Sequence, residues 1–339
     1  MYSFNMNICA REIVFLTAST ALLVGCSTTG SGGIGKSSSG SSMSWAQVID
    51  RNPDPSVVTN PQMLAKIKAT GLPWRVRDTA SGIEMLLVPP GDFVMGMSPG
   101  DTLAMEDERP AHMVTITKPF YLGRTEVTQG QWTEVMGSNQ SYFQEAYYRI
   151  ESADETDAKI AEFMRSGYTL EEAKSKAGDG KLVETFSGTW PLETITPDEI
   201  APYLMKTGLR LPTEAEWEYA CRAGIREPLY GPLDDIGWYT GNSQKKSHPV
   251  GGKKANPLGF YDMIGNVWEW CSDWYSSDYY ATCENGVTDP TGPSINAFRV
   301  ARGGSWDHVS KNCRASFREN HFMPDPRITD FGFRVARNP

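Results

Sequence analysis

The sequence predicts an α+β domain in which regular secondary structure is sparse. Three observations predict it. A strand–turn–strand pattern occupies 83–96, one strongly signalled helix begins at Thr213, and beyond Gly224 the chain is loop-rich, dense in Gly, Pro, Asn and Trp. A large domain of that texture must be held by buried aromatics, backbone hydrogen-bond networks or bound ions. The material for a core is present, since aromatics make up 11% of the 339 residues, ten of them Trp.

Taken in order, residues 1–25 read as a targeting segment. A polar start carrying Arg11 gives way to an apolar run from Ile13 to Val24. A run of about a dozen residues is too short for a bilayer core, which needs roughly 20, but suits a signal peptide. It ends in Leu23-Val24-Gly25-Cys26, which resembles a bacterial lipobox and makes Cys26 the expected lipidation site. Residues 26–44 are almost entirely Ser, Gly and Thr, a flexible tether. Two or more acyl chains suffice for stable anchoring, so the expected membrane contact is the lipid alone.

Residues 45–82 read as a lead-in with one short helix near Pro61–Thr70, and the domain itself as 83–339. Met113–Thr117 alternates like a strand, and Phe120–Val127 reads as another. Thr128 caps a short helix to Met136. About 138–188 the chain turns charged and rich in Ala and Glu, which predicts a helical surface insertion with helices near 155–165 and 169–177. Thr213 with Glu216 forms a capping box, and Trp217, Ala220 and Cys221 share one helical face until Gly224.

The formal net charge of −9, with no Lys/Arg run, argues against nucleic acid as a partner. Besides Cys9 and Cys26, four cysteines remain, at 221, 271, 283 and 313. Three complete pairings are open to them, and a buried thiol suits Cys221 equally well. No CxxC or His/Cys spacing marks a zinc site.

Several segments then fit one pattern: Met85 to Gly96, Asp107 to His112, Phe120 to Thr128, Leu209 to Ala220, Gly259 to Trp270, Arg302-Gly303-Gly304-Ser305-Trp306 and Gly332-Phe333-Arg334-Val335. In this order they resemble the formylglycine-generating-enzyme (sulfatase-modifying factor) family over about 83–337. The resemblance implies an irregular fold related to C-type lectins.

It also implies what to look for chemically. The oxidases of this family hold copper with two cysteines, three and eight residues after the serine of the Gly-Gly-Ser motif. Here those positions are His308 and Cys313. A Cys/His pair can ligate copper, but the two-thiolate site is gone, so no copper and no catalysis are expected. The resemblance further implies a structural Ca²⁺ on the Asp262 side chain, the Gly265 and Val267 carbonyls and the Glu269 carboxylate. Two carboxylates and two carbonyls suit a hard cation. The alternative is that Glu269 simply hydrogen-bonds the turn.

Through 300–337, framework pieces (Arg302 to Trp306, Cys313-Arg314, Arg318, Arg327, Gly332 to Arg334) alternate with unrelated residues. This texture resembles the variable region of diversity-generating-retroelement target proteins, and the whole resembles lipoproteins of the treponemal variable-protein kind. On that resemblance Asp307, His308, Val309, Phe317, Asn320, His321, Phe322, Thr329, Asp330 and Phe331 line a recognition face for a protein or glycan. The expectation is thus a monomeric, non-catalytic ligand-binding lipoprotein of the bacterial envelope, displayed on the outer surface or the periplasmic face. The alternatives are an altered oxidase using Cys313 and His308, and a structural envelope component.

Overall fold

Met85, Leu86, Leu87 and Val88 are all buried, so the strand that carries them has to lie inside a sheet with both faces covered. The computed structural model describes residues 43–143, 146–150, 169, 182–186, 188–295, 297–319 and 328–339, with 146–150 and 182–186 at the backbone level. Cys26 and its tether, the two helices expected in the insertion, and Asn320, His321 and Phe322 lie outside them. Residues Met43–Pro339 form one unit.

The strands are β1 (Ala46–Asp50), β2 (Arg75–Asp78), β3 (Glu84–Val88), β4 (Gly91–Met95), β5 (His112–Ile116) and β6 (Phe120–Gly123). There follow β7 (Ala146–Ile150), β8 (Leu182–Phe186), β9 (Trp268–Trp274), β10 (Val287–Thr288), β11 (Arg299–Arg302), β12 (Arg318–Glu319), β13 (Phe331–Gly332) and β14 (Ala336–Arg337). Four helices matter for the site: α1 (Pro61–Ala69), α2 (Gln129–Met136), α3 (Pro197–Thr207) and α4 (Glu214–Arg222).

An antiparallel sheet runs β1-β2-β3-β6-β14, so the last strand of the chain closes against a strand over 200 residues earlier, Ala336 opposite Leu122. The stretch 45–82 is therefore no lead-in. It supplies β1, β2 and α1, because Trp74 and Val76 are apolar and buried against β3, and the Tyr121 hydroxyl donates to the Pro73 carbonyl at 2.7 Å. A second sheet, β10-β5-β4, and a third, β12-β11-β9-β13, surround one core cluster built on Trp217, Phe260, Trp268 and Phe333.

Helix α4 starts as expected, with Thr213 Oγ1 accepting from the Glu216 N–H and Glu216 returning to the Thr213 N–H. It is not amphipathic, however. Every residue but Glu216 is buried, because the polar ones, Glu214, Glu218 and Arg222, are spent on buried ion pairs. Helix α3 was not legible as such, although Thr196 and Glu199 make the same capping box. The insertion carries an antiparallel β7–β8 ladder, flanking the stretch in which the two helices were expected. All four cysteines of the described unit are buried and unpaired.

Candidate recognition site

The C-terminal segment is built on arginines that reach inward. Arg302 donates to Glu214 at 3.2 Å and also pairs with Glu218. Arg318 spans both Glu214 oxygens at 2.7 and 3.1 Å. Arg314 grips Glu108 at 2.6 and 2.8 Å and Asp101 at 2.7 Å. Burial opposes ionisation of Glu214, but Arg318 and Arg302 outweigh it and hold the carboxyl below its usual range. Pairs this deep gain little net stability by existing, yet losing one partner strands a buried charge.

Between the clamps the chain turns at Gly303 and Gly304, both at positive φ. A Cβ on Gly304 would stand 2.6 Å from the Cys313 Sγ. The turn thus closes over Cys313, whose thiol is buried and pushed up to about 12 by that burial. With its thiol so raised, the side chain is protonated at neutral pH.

Ser305, His308 and Asp330 come together, which the sequence did not foreshadow. Ser305 Oγ lies 2.8 Å from His308 Nδ1 and donates to Asp330 Oδ2 at 2.6 Å, and Asp330 Oδ2 is 3.2 Å from the same Nδ1. A nucleophile–base–acid relay needs serine and carboxylate on opposite ring nitrogens. Here both meet Nδ1, so the group is a brace between the two ends of the segment. Burial lowers the His308 pKa, but the hydrogen bond and charge of Asp330 raise it further, for a net rise.

Of the expected face, Asp307 and Val309 are exposed, and His308, Phe317 and Thr329 are half-buried. Asp330 and Phe331 do not belong to it. Asp330 is turned in toward Ser305, and Phe331 packs on Trp270 with centroids 4.8 Å apart, both being buried. Phe331 opens β13, which runs beside β9 in the third sheet, and Asp330 just before it accepts from the Trp268 N–H at 2.8 Å through its carbonyl.

The expected calcium positions do converge, but around an arginine. Arg334, fully buried, donates to Glu269 at 2.6 and 2.9 Å, and the Trp217 indole donates to Glu269 at 2.6 Å. Both Glu269 oxygens are thereby taken. Asp262, at φ 53, accepts from the Gly251 N–H at 2.6 Å through Oδ2, and Glu126 Oε1 accepts from Asn266 at 3.0 Å, while Asp262 Oδ1 and Glu126 Oε2 are buried with no hydrogen-bond partner among the described residues. Burial, then Asp262 and Glu269, keep Glu126 well above the carboxylate range, and burial pushes Asp262 up to about 6. Gly265 is buried tight, a Cβ there falling 2.3 Å from the Trp238 carbonyl, and Val267 is buried. The described residues hold no cluster of three or more His, Cys, Asp or Glu disposed for a metal. Arg334 lies against Glu269, while Asp262 Oδ1 and Glu126 Oε2 remain buried acceptor oxygens at the place where Asp262, Gly265, Val267 and Glu269 are expected to hold Ca²⁺.

Glu126, Glu108, Glu214 and Glu218 are the functional residues that sequence reasoning missed. Only the Glu214, Glu218, Arg222 spacing along one helix gave a signal, since i, i+4 charge placement on a Trp-bearing helix marks a buried polar row.

Short sheets, a loop-built C-terminal face and internal arginine clamps define a mixed α/β domain of irregular type. The chain belongs to the family of sulfatase-modifying factor enzyme 1-like domains, whose pattern matches residues 74–339. The formylglycine-generating enzyme of Streptomyces coelicolor is 28% identical over 301 residues, spanning 78% of this chain and 91% of the enzyme. The chaperone protein LppX of Paenibacillus barcinonensis is 32% identical over 248 residues, 65% of this chain and 80% of LppX. The serine/threonine-protein kinase pkn1 of Chlamydia caviae is 32% identical over 256 residues, but the match covers 38% of that kinase. Among solved structures, the variable protein 1 of Treponema denticola aligns at a TM-score of 0.56 with 26% identity, over 77% of this chain and 98% of that one. PvdO from Pseudomonas aeruginosa aligns at 0.58 with 25% identity, over 78% and 98%.

Proposed function

We propose that this is a lipid-anchored, non-catalytic binding protein of the bacterial envelope, whose C-terminal face recognises a macromolecular ligand. One observation carries the reading. The arginines of the segment are buried and clamped, whereas Asp307 and Val309 between them stand exposed. Side chains on such a frame can change without cost to the core. The likeness to the Treponema denticola variable protein supports this use of the fold. Cys313 supports it from the chemical side, because burial pushes its thiol up to about 12 and so leaves little thiolate to act as a nucleophile at neutral pH.

Randomising the two exposed positions, Asp307 and Val309, together tests the proposal. Most variants are expected to melt cooperatively within about 5 °C of the parent, as surface changes cost about 0.5 kcal/mol or less. A display library of them is expected to yield binders to unrelated immobilised test proteins. Widespread unfolding would sink the reading. So would stoichiometric copper binding lost in Cys313→Ser together with thiol oxidation of a cysteine peptide, which would favour an altered oxidase.

A further inference from the structure

We propose that the recognition face continues onto two pieces outside the C-terminal segment, Tyr142-Phe143 and the 239–246 loop, and that the whole takes an acidic protein segment bearing an apolar side chain. The inference rests on the binding role just proposed and names the chemistry of its partner.

Both pieces are tied to the segment. The Phe143 ring meets the Trp306 ring edge-on at 5.2 Å, and Tyr142, 70% exposed, stands edge-on to Phe143 at 5.0 Å. Phe143 is itself fixed at the backbone, its N–H donating to Glu193 at 2.7 Å and its carbonyl accepting from Gln129 at 2.8 Å. On the other side Ser243 Oγ donates to the Trp306 carbonyl at 2.8 Å, and the Thr240 N–H donates to the His308 carbonyl at 3.0 Å. Trp306 thus sits between the two pieces, one residue from Asp307.

The loop presents charge in a strained shape. Gln244 and Lys245 are consecutive residues at φ 56 and 61, a region that non-glycine side chains rarely adopt. The turn is held by the Lys245 N–H on Ser243 Oγ and by His248 Nε2 at 2.7 Å from the Ser243 carbonyl. Strain kept by such bracing is a mark of functional segments. Its outcome is an exposed Lys245 beside Lys246, whose ammonium lies 5.3 Å from the Trp190 ring centroid. Lys311, also exposed, follows Val309 in the C-terminal loop. Among the described residues two exposed carboxylates border this face, Asp307 and Asp234, the latter accepting from the Tyr239 hydroxyl at 2.9 Å, and Lys245, Lys246 and Lys311 outnumber them on a chain whose net charge is −9.

Charge complementarity therefore selects an anionic partner. Flexible lysines give point charges and no fixed fork of donors, while Tyr142 and the half-exposed Val309 offer apolar contact. That combination suits Glu or Asp side chains around an apolar anchor better than the ordered hydroxyl pattern of a glycan.

The test uses the full chain in detergent and a random Glu/Tyr copolymer as probe, with polyglutamate and heparin as comparators. Binding is read by fluorescence anisotropy across a salt series. The copolymer is expected to bind more tightly than either comparator. Lys245→Glu with Lys246→Glu should weaken it at least tenfold at low salt and flatten the salt dependence, and Tyr142→Ala should weaken it about fivefold. Unchanged melting temperatures confirm folded variants, and Tyr142→Ser serves if the alanine variant does not fold. The proposal is overturned if the copolymer does not bind, if either change leaves binding intact, or if heparin binds more tightly and ignores Tyr142. Exchanging Asp307 and Val309 separates the two ideas. If that exchange moves binding while the Tyr142 and lysine changes do not, the C-terminal face stands and its extension falls.

Discussion

Arg334 shows how much one side chain carries in this domain. It is fully buried, spans both Glu269 oxygens, and also donates to the carbonyls of Gly123 and Tyr261. Arg334→Met would leave Glu269 buried with no cation, beside Glu126 and Asp262. The expected loss is about 3–5 kcal/mol in urea unfolding, the cost of breaking a buried pair from one side. A loss under about 1 kcal/mol would show that the clamp does not act as described. Asp273 gives a pH signature instead. Burial first, and then the charge of Glu214, push its carboxyl up to about 7, while the Glu214 N–H at 2.9 Å pulls it back. A folded-state pKa raised above the unfolded value near 3.8 means the folded state holds the proton more tightly. Its contribution is full at low pH and is lost as pH rises from about 4 to 7. Unfolding measured across that window should show a fall in stability that Asp273→Asn flattens. Sequence could single out Arg334 as a framework position. It could not show Glu269 as its partner, since that pairing exists only through space.

At the scale of elements, what was legible was local. The capping box of α4 lies within four consecutive residues, and Thr213→Ala is expected to cost about 1 kcal/mol, read by chemical denaturation. An unchanged midpoint would mean that burial alone fixes the helix start. Helix α3 carries the same box at Thr196 and Glu199 but hides it behind the interior Pro202. Strands β10, β12, β13 and β14 are two residues long, too short for any alternation to show. The same shortness misplaced Phe331, whose pairing with β9 decides which way it faces, while Asp330 is turned in by its bond from Ser305. The β7–β8 ladder was missed for the opposite reason. The stretch that contains it is rich in helix-forming Ala and Glu, and the propensity of the whole masked the strands at its ends.

At the scale of the molecule, the fold class and most of the framework could be read from the chain, and the buried charge network could not. No helix among the described residues is long and apolar enough to cross a membrane. The proposed anchoring rests on Cys26, the cysteine of the lipobox-like Leu23-Val24-Gly25-Cys26. In a bacterial host fed a labelled fatty acid, the parent chain should carry label and partition into detergent, and Cys26→Ser should do neither. Label retained in Cys26→Ser would place the lipid elsewhere or dismiss it. If the anchor holds, the Ser/Gly stretch after it sets how far the domain can reach, roughly 5–6 Å times the square root of its residue number.

The pairing of β14 with β6 has a consequence for biosynthesis. The first sheet stays unsealed until residues 336–337 are synthesised, and Arg337 then meets Asp78, 259 positions earlier, at 3.1 Å. Contacts of such separation form late and slowly. Any change within 300–330 that shifts the reading frame would also erase Phe333, Arg334 and the closing strand. Such a chain could not complete its core. The architecture thus ties closure of the fold to an intact reading frame through 300–330, which substitutions keep and frame-breaking insertions lose.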